Sequence, residues 1–201
     1  MLVALHGAGG QAADVLDSFR EAADANGIVL VIPQSSKGTW DMIEDLKTRL
    51  GIEMNVTPRY GKDLKAIDTA LADLFSRVAV DPARVGIMGF SDGATYALSV
   101  GTANPQLFHE VIAFSPGPAF VGNSAPDQFV FISHGENDHV LPFSTARGHV
   151  AKLRARKVPI EFEKFEGGHE VPRAIKEKAM AFFKDPAAAT AASASATASA
   201  P

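Results

Sequence analysis

One serine of this chain lies in a pattern that would make its hydroxyl a nucleophile. The run Gly89-Phe90-Ser91-Asp92-Gly93 follows an apolar, β-type stretch and precedes a helical pattern of small residues. Glycines two residues to either side permit a sharp turn from strand to helix, which exposes the hydroxyl above the end of a sheet. The N-terminus of the following helix favours negative charge developing at the same place. A glycine-rich connection with an incidental serine could have the same sequence. Residues elsewhere in the chain are therefore needed to distinguish a nucleophile from such a connection.

A serine nucleophile needs a base, and the base needs a third group to orient it. Two residues downstream of Ser91 fit these roles in the order acid, then histidine: Asp138 and His169. Each follows a predicted strand. Glu136 is the alternative acid, but it lies closer to the strand end and farther from the segment Val140-Leu141-Pro142 that re-enters regular structure. We therefore predict a catalytic triad of Ser91, Asp138 and His169.

An oxyanion hole requires two backbone N–H groups aimed at the developing negative charge. In a site of this kind one donor is the residue after the nucleophile, here Asp92. The other lies in the loop after the first strand, where His6-Gly7 leaves Ala8 as the natural donor. The sequence of this loop is also compatible with a simple turn or a phosphate-binding loop. It lacks the lysine of a P-loop and the full G-x-G-x-x-G spacing, which disfavours a nucleotide site.

The remaining histidines are not arranged as metal ligands. No two of them share a helix face at ligand spacing, and the chain has no cysteine to supply a thiolate or a disulfide. His6 and His134 each precede a glycine at a strand end, and we expect both to hold loop geometry by hydrogen bonding. We expect His149 at the surface. The sequence therefore predicts neither a metal nor a cofactor.

Composition narrows the class of protein and its partners. With 201 residues, 46% of them hydrophobic, one domain with a substantial core is expected. The net charge of −4 is spread along the chain, which argues against nucleic acid as a partner, and no apolar run approaches membrane-spanning length. A small-molecule substrate is the expected partner. The absence of a signal-peptide pattern predicts a cytoplasmic protein if Met1 is the native start, and leaves secretion open if the N-terminus is truncated.

Strand and helix patterns alternate through residues 1–184, the predicted catalytic domain. This alternation is typical of a mostly parallel sheet with helices on both faces, in which ligands bind beyond the carboxyl ends of the strands. The predicted strands are Leu2–Leu5, Ile28–Ile32, Val85–Phe90, Val111–Phe114, Gln128–Ile132 and Ile160–Phe165.

Both ends of the chain are unusual. Met1 leads directly into a core strand, so we expect that outer N-terminal strands are missing. The run Ile28–Ile32 would then form a bare sheet edge, apolar on both faces, and we expect either a homo-oligomer through this edge or cover from the loop Gln34–Tyr60. Residues 185–201 are almost wholly Ala, Ser and Thr after Pro186, which predicts a disordered tail or linker.

The expected site is open and shallow. About a dozen residues separate the fourth and fifth strands, too few for a cap domain. The loop Gln34–Tyr60 is long for a compact domain, and loops of this length usually have a function. Core packing is the alternative for its tryptophan. The predicted substrate-binding residues are Trp40, Met42, Ser115, His139 and Val140.

Four motifs in this order resemble the α/β-hydrolase superfamily. They are Leu5-His6-Gly7-Ala8-Gly9-Gly10, Gly89-Phe90-Ser91-Asp92-Gly93, Ser133-His134-Gly135 with Asp138, and Gly167-Gly168-His169. Within the superfamily the chain looks most like the small phospholipase/carboxylesterase-like serine esterases, which are related to dienelactone hydrolases. The resemblance implies cofactor-free hydrolysis of carboxylic esters, commonly small or short-acyl ones. An aromatic wall would also suit aryl esters or the chain ends of a polyester.

Three other functions remain open at this point. An acyltransferase and a small-peptide serine peptidase would use the same triad. A catalytically idle hydrolase fold could serve as a binding module, tethered by residues 186–201. The intact serine, acid and histidine set argues against the idle module, because idle members usually lose at least one of the three.

Overall fold

The computed structural model describes residues 1–49, 57–122 and 124–191, and in this part of the chain six strands form one sheet. All five strand pairs are parallel. The strands are β1 (Leu2–Leu5), β2 (Leu30–Val31), β3 (Gly86–Phe90), β4 (Glu110–Phe114), β5 (Phe129–Gly135) and β6 (Ile160–Phe165). Their order across the sheet is β2-β1-β3-β4-β5-β6, so the predicted six-stranded parallel sheet is confirmed.

Helices cover both faces of this sheet, as predicted. They are α1 (Ala12–Ala25), α2 (Asp41–Arg49), α3 (Lys62–Arg77), α4 (Asp92–Ala103), α5 (Phe143–Ala155) and α6 (Arg173–Lys184). Because side chains alternate along a strand, β1 sends Val3 and Leu5 into a core shared with α2 to α5, and Leu2 and Ala4 into a second core with α1 and α6. No helix in the described ranges is long and apolar enough to cross a membrane.

Small residues let α4 lie close against the middle of the sheet. A Cβ added to Gly101 would come within 2.6 Å of Val111 Cγ2 and 2.8 Å of Ile87 Cγ2, on the two central strands β4 and β3. This packing holds the helix, and therefore its N-terminus beside Ser91, at a fixed height above the strand ends.

The second predicted strand is shorter and more exposed than expected. Within Ile28–Ile32 only Leu30 and Val31 pair with β1, and Val29 is 46% exposed. The expectation of a five-residue strand was wrong, because only two of its residues pair with β1 and no second neighbour extends it among the described residues. Its position at the sheet edge is confirmed. Self-association through that edge remains a prediction.

Two segments expected to be irregular contain helix. The loop Gln34–Tyr60 includes α2, although its residues 50–56 lie outside the described ones. Residues 186–191 are helical, and Ala189 packs against the second core, so the prediction of disorder was wrong there. The rest of the predicted tail, residues 192–201, also lies outside the described residues.

A reciprocal pair of aspartates joins α2 to α3. The Asp63 carboxylate accepts the Asp41 N–H at 2.8 Å, and the Asp41 carboxylate accepts the Asp63 N–H at 2.8 Å. Each side chain therefore satisfies a backbone donor at the start of the other helix. Asp63 also accepts the Ser36 N–H at 2.7 Å, which ties the segment after β2 to the same pair.

Candidate active site

Ser91 occupies a strained turn between β3 and α4. Its φ of 57° and ψ of −122° lie in a region that side chains other than glycine rarely adopt, at a cost of about 1–3 kcal/mol. Three hydrogen bonds hold it there: the Ser91 N–H donates to Phe114 O at 2.9 Å, and Ser91 O accepts from the N–H and hydroxyl of Thr95 at 3.0 and 3.2 Å. The strand–turn–helix setting predicted from the motif is therefore present.

The glycines of the motif are needed for close approach of backbone segments. A Cβ at Gly89 would collide with the backbone of Gly93, and a Cβ at Gly93 would collide with the carbonyls of Leu5 and His6. Contact between the turn and the loop after β1 thus depends on both glycines. The loop also reaches the serine, since a Cβ at Gly7 would lie 3.2 Å from Ser91 Cβ.

The three residues predicted as a triad form one continuous line of hydrogen bonds. His169 Nε2 lies 2.8 Å from Ser91 Oγ, and His169 Nδ1 lies 2.7 Å from Asp138 Oδ2. A carboxylate only accepts, so Nδ1 carries the proton and the unprotonated Nε2 accepts the serine hydroxyl. Ser91 is 9% exposed and the side chain of His169 15%, so the reacting atoms border solvent.

The Asp138 carboxylate is fully buried and saturated with donors. Its Oδ1 accepts the N–H groups of Val140 and Leu141 at 2.8 and 2.9 Å. Burial acts to raise the pKa of Asp138, but the hydrogen bonds from His169, Leu141 and Val140 outweigh it and hold the pKa below its ordinary value. The ionised carboxylate therefore stabilises the fold above the ordinary carboxyl range, and this contribution is lost as the pH falls through the lowered value.

Glu136, the alternative acid, is placed elsewhere. Its side chain is 43% exposed and pairs with Lys164 at 3.1 Å. Its position at the very end of β5 directs it to the surface, while the turn that follows brings Asp138 against His169. Of the two carboxylates considered, Asp138 is the one within hydrogen-bonding distance of the histidine.

The His169 loop rests directly on the end of β5. A Cβ at Gly135 would collide with the carbonyls of Gly167 and Gly168, and the Asn137 N–H donates to Gly167 O at 3.0 Å. The ring of Phe90 packs against the imidazole with ring centroids 4.8 Å apart. The absence of a side chain at Gly135 thus allows the His169 loop to lie directly on the neighbouring strand.

Of the two predicted oxyanion donors, Asp92 follows Ser91 in the chain, and Ala8 follows Gly7, the residue of the loop after β1 that approaches Ser91. Among the described residues, neither the Ala8 N–H nor the Asp92 N–H donates to another protein group. His6 holds the Ala8 loop: its Nδ1 donates to Gly7 O at 2.8 Å, and its Nε2 accepts the Ser35 N–H at 3.1 Å. The expected loop-holding role of His6 is therefore present in the geometry, and the oxyanion role of the two amides stays a prediction.

The Asp92 side chain would place a negative charge near these donors, but its carboxylate interacts with Thr39 and Lys47. Its carboxylate accepts the Thr39 hydroxyl at 2.7 Å and lies 3.5 Å from Lys47 Nζ on α2. The neighbouring cation partly compensates the charge where an oxyanion would otherwise be repelled.

Three of the five predicted substrate-binding residues are core residues instead. Trp40, Met42 and Ser115 are completely buried, so Trp40 does not form the aromatic wall that was predicted. Trp40 donates its indole N–H to His6 O at 2.9 Å and packs against Tyr96, which places it beneath the oxyanion loop. The Ser115 N–H instead donates to Ser133 O at 2.8 Å, which directs Ser115 toward the sheet.

The other two lie where they were predicted, at the surface beside the site. His139 is exposed and Val140 is 65% exposed, and both belong to the turn that carries Asp138. They are the members of the predicted set that a substrate could reach.

A row of hydroxyl groups on α4, missed in the sequence, holds the loop after β4. Thr95, Ser99 and Thr102 each donate to the carbonyl four residues earlier. The same oxygens accept the N–H groups of Gly117, Phe120 and Gly122, at 2.8, 3.1 and 3.1 Å. Hydroxyls spaced along one face of a helix were the available signal. Residues 115–128 thus form a short connection attached to α4, and its described part contains no cap domain.

His149 also supports this loop, and its predicted surface position was wrong. It is buried on α5, and its Nε2 donates to Gly117 O at 2.9 Å. Burial lowers the pKa of His149, so the ring is the neutral form that donates to the carbonyl. The described residues contain no group of three or more His, Cys, Asp or Glu side chains suited to a metal ion.

Comparisons with known proteins agree with this architecture. The chain resembles solved structures of esterase PE8 (TM-score 0.65, 23% identity, 92% of this chain and 91% of that one) and of a phospholipase/carboxylesterase from Dyadobacter fermentans (TM-score 0.70, 22% identity, 92% and 89%). A carboxylesterase of Bacillus cereus is similar (TM-score 0.64, 21% identity, 92% and 87%). At these identities the likeness shows the shared fold, that of the α/β-hydrolases.

Sequence comparisons point the same way. An acetylxylan esterase of Coprinopsis cinerea is 31% identical over 114 residues, which are 54% of this chain and 28% of that protein. The chain therefore spans well under a third of that relative. The model of the dienelactone hydrolase family matches residues 2–198. Since this match covers nearly the whole sequence, the chain belongs to the dienelactone hydrolase family.

Proposed function

We propose that this protein is a serine esterase that hydrolyses small or short-acyl carboxylic esters through an acyl-enzyme, without a cofactor. The observation that carries the proposal is the line of hydrogen bonds from Asp138 through His169 to Ser91, with distances of 2.7 and 2.8 Å at a strained strand-to-helix turn. This is the arrangement in which a serine hydroxyl gains a positioned general base. Membership of a hydrolase family supports the same conclusion.

The first half of the reaction forms the acyl-enzyme. His169 Nε2 takes the proton of the Ser91 hydroxyl as Oγ attacks the ester carbonyl carbon, and Asp138 stabilises the resulting imidazolium. The carbonyl oxygen becomes an oxyanion, which accepts hydrogen bonds from the N–H groups of Ala8 and Asp92. When the intermediate collapses, the ester C–O bond breaks and His169 gives its proton to the departing alcohol.

The second half releases the acid. A water molecule loses a proton to His169 and attacks the acyl carbon, and the same two amides stabilise the second oxyanion. Collapse breaks the bond to Ser91 Oγ, which regains its proton from His169. The side chain of His169 is 15% exposed, so water can reach the edge of the imidazole, which favours hydrolysis over acyl transfer.

We propose that His139 and Val140 contact the substrate, because both are exposed on the turn beside His169. The proposal for aryl esters or polyester chain ends loses its basis, since Trp40 is buried beneath the oxyanion loop. One exposed valine offers limited apolar contact, which fits a short acyl group better than a long one.

Assays with a series of p-nitrophenyl esters test this function. We expect turnover of the acetate and butyrate, with kcat/KM falling by about tenfold or more at the octanoate, because the site offers little apolar surface to a long chain. The matching acetanilide should react far more slowly. Amide turnover as fast as ester turnover would make the protein a peptidase, and binding without turnover of any ester would make it an idle module.

Ester turnover should rise with pH on the acidic side of its profile, because only neutral imidazole accepts the serine proton. The pKa of Asp138 is held below its ordinary value, so its carboxylate is already ionised near neutral pH and adds no second acidic step there. A pH profile of kcat/KM measures this directly. A flat profile from pH 5 to 9 would contradict histidine as the base.

A further inference from the structure

A second histidine touches the acid of the proposed triad. His134, near the end of β5, is fully buried, and its Nε2 lies 3.2 Å from Asp138 Oδ2 and 2.9 Å from Leu141 O. The sequence predicted that His134 holds loop geometry, but not that it reaches the acid. Asp138 Oδ2 thus faces two imidazoles, His134 and His169.

The surroundings of His134 settle which nitrogen carries the proton. Both neighbours of its Nε2 are acceptors, so this nitrogen is protonated; its N–H donates to Leu141 O, and Asp138 Oδ2 lies beside the same N–H at an N···O distance of 3.2 Å. Its Nδ1 is buried and has no hydrogen-bond partner among the described residues, so a proton there would be left unsatisfied. The ring is therefore the neutral Nε2–H form, and the positive end of its N–H dipole lies close to the Asp138 carboxylate.

We propose that His134 is a positioning residue for the triad, an inference that rests on the proposed esterase function. Its N–H ties the carbonyl of Leu141 to β5, which keeps the turn that carries Asp138 closed, and it lies 3.2 Å from Oδ2, the oxygen that faces His169 Nδ1. The N–H also withdraws electron density from Oδ2. Asp138 thereby becomes a weaker acceptor for the imidazolium of His169, and the base is tuned as well as oriented.

Few other charged groups face His134. His149 on α5 is close enough to interact with it electrostatically, and Phe143 at the start of α5 packs its ring against it at 6.0 Å between centroids. Lys164 on β6 is its neighbour in the sheet, but that ammonium binds Glu136 at 3.1 Å. Asp138 is the carboxylate that His134 contacts.

The test compares His134→Leu with His134→Gln. The leucine removes the donor, while the glutamine amide nitrogen reaches about the position of the imidazole Nε2 and keeps it. For His134→Leu we expect kcat to fall by about tenfold or more with KM little changed, because the hydrogen bond that holds the Asp138 turn and the N–H dipole beside the carboxylate are both lost. The acidic limb of the pH profile should move to higher pH, since Asp138 then stabilises the imidazolium of His169 more strongly. His134→Gln should recover most of both effects.

A matched control separates this role from packing. His149→Leu removes another buried histidine whose Nε2 binds a loop carbonyl, but His149 does not contact Asp138. It should lower the melting temperature without moving the acidic limb. If His134→Leu does not fold, His134→Asn takes its place, because its amide is too short to reach Oδ2, and the same loss and shift are expected.

Unchanged kcat and an unchanged acidic limb in the donor-lacking variant, with Ser91→Ala inactive, would overturn the inference and leave the esterase function standing. So would equal losses in His134→Leu and His134→Gln with no movement of the limb, which is the signature of packing alone. Undiminished turnover in Ser91→Ala would instead overturn the proposed function itself.

Discussion

Ser91→Ala is expected to lower ester turnover by about 10⁴- to 10⁶-fold while the protein remains folded. The substitution removes the hydroxyl that lies 2.8 Å from His169 Nε2, and losses of this size follow when the nucleophile of a triad is removed. The Cβ is kept, so the strained turn is not altered. Steady-state kinetics with p-nitrophenyl butyrate and thermal unfolding of the same samples measure the two expectations.

Ser115→Ala is the matched control. Ser115 is also a serine with positive φ, 49°, at the end of the neighbouring strand β4, but it is buried and makes no contact with His169 among the described residues. Its loss should leave kcat within about twofold of wild type, the effect expected of a side chain outside the site. Equal losses in the two variants would mean that backbone strain, and not the Ser91 hydroxyl, underlies the effect.

Asp138→Asn is expected to lower kcat by about 10³- to 10⁴-fold, through the wrong tautomer of the base. The N–H groups of Val140 and Leu141 require an oxygen at the Oδ1 position, so the amide nitrogen of the new side chain must face His169. A donor there forces Nδ1 to accept, which puts the imidazole proton on Nε2, against the Ser91 hydroxyl. The imidazole can then no longer take the serine proton.

Glu136→Gln is the companion variant, two residues away and with the same change of charge. Its exposed side chain pairs with Lys164 at the surface, and such pairs contribute about 0–1 kcal/mol, so kcat should change by less than about twofold. The reverse pattern, with Asp138→Asn active and Glu136→Gln inactive, would assign the acid to Glu136.

The parts of the site that could be predicted are those determined by local backbone requirements. The Ser91 turn needs glycine at positions 89 and 93 because backbone from the turn and from the loop after β1 would otherwise collide, and that requirement is visible in the sequence. The parallel sheet with helices on both faces follows from the alternation of apolar strands and helices. Asp138 and His169 follow β5 and β6, so their meeting at one edge of the sheet was foreseeable.

The residues placed wrongly depend on contacts distant in the sequence. Trp40 is buried because the carbonyl of His6 accepts its indole N–H and because Asp41 and Asp63 hold α2 against α3. The weak hydrophobic periodicity of Gln34–Tyr60 indicates neither the hydrogen bond to His6 nor the contact between α2 and α3. In the sequence, His149 is an ordinary residue of a basic helix. Its burial depends on the carbonyl of Gly117, which lies 32 residues away in the chain and accepts its N–H.

The sequence alone distinguishes poorly between Glu136 and Asp138 as the acid of the triad, for a related reason. Glu136 and Asp138 are two residues apart, and only the turn stabilised by the N–H groups of Val140 and Leu141 decides which carboxylate reaches His169. The contact from His134 has the same origin, since it depends on how that turn folds back over the strand.

Covalent capture of the nucleophile tests the central claim most directly. The protein is treated with a fluorophosphonate, and the site of attachment is found by intact-mass and peptide mass spectrometry. A base-activated Ser91 predicts one adduct per chain on Ser91, with ester turnover lost in proportion to labelling, no adduct in Ser91→Ala and much slower labelling in His169→Ala. An unlabelled Ser91 in a protein that turns over esters, or a label on another residue that abolishes turnover, would contradict the account.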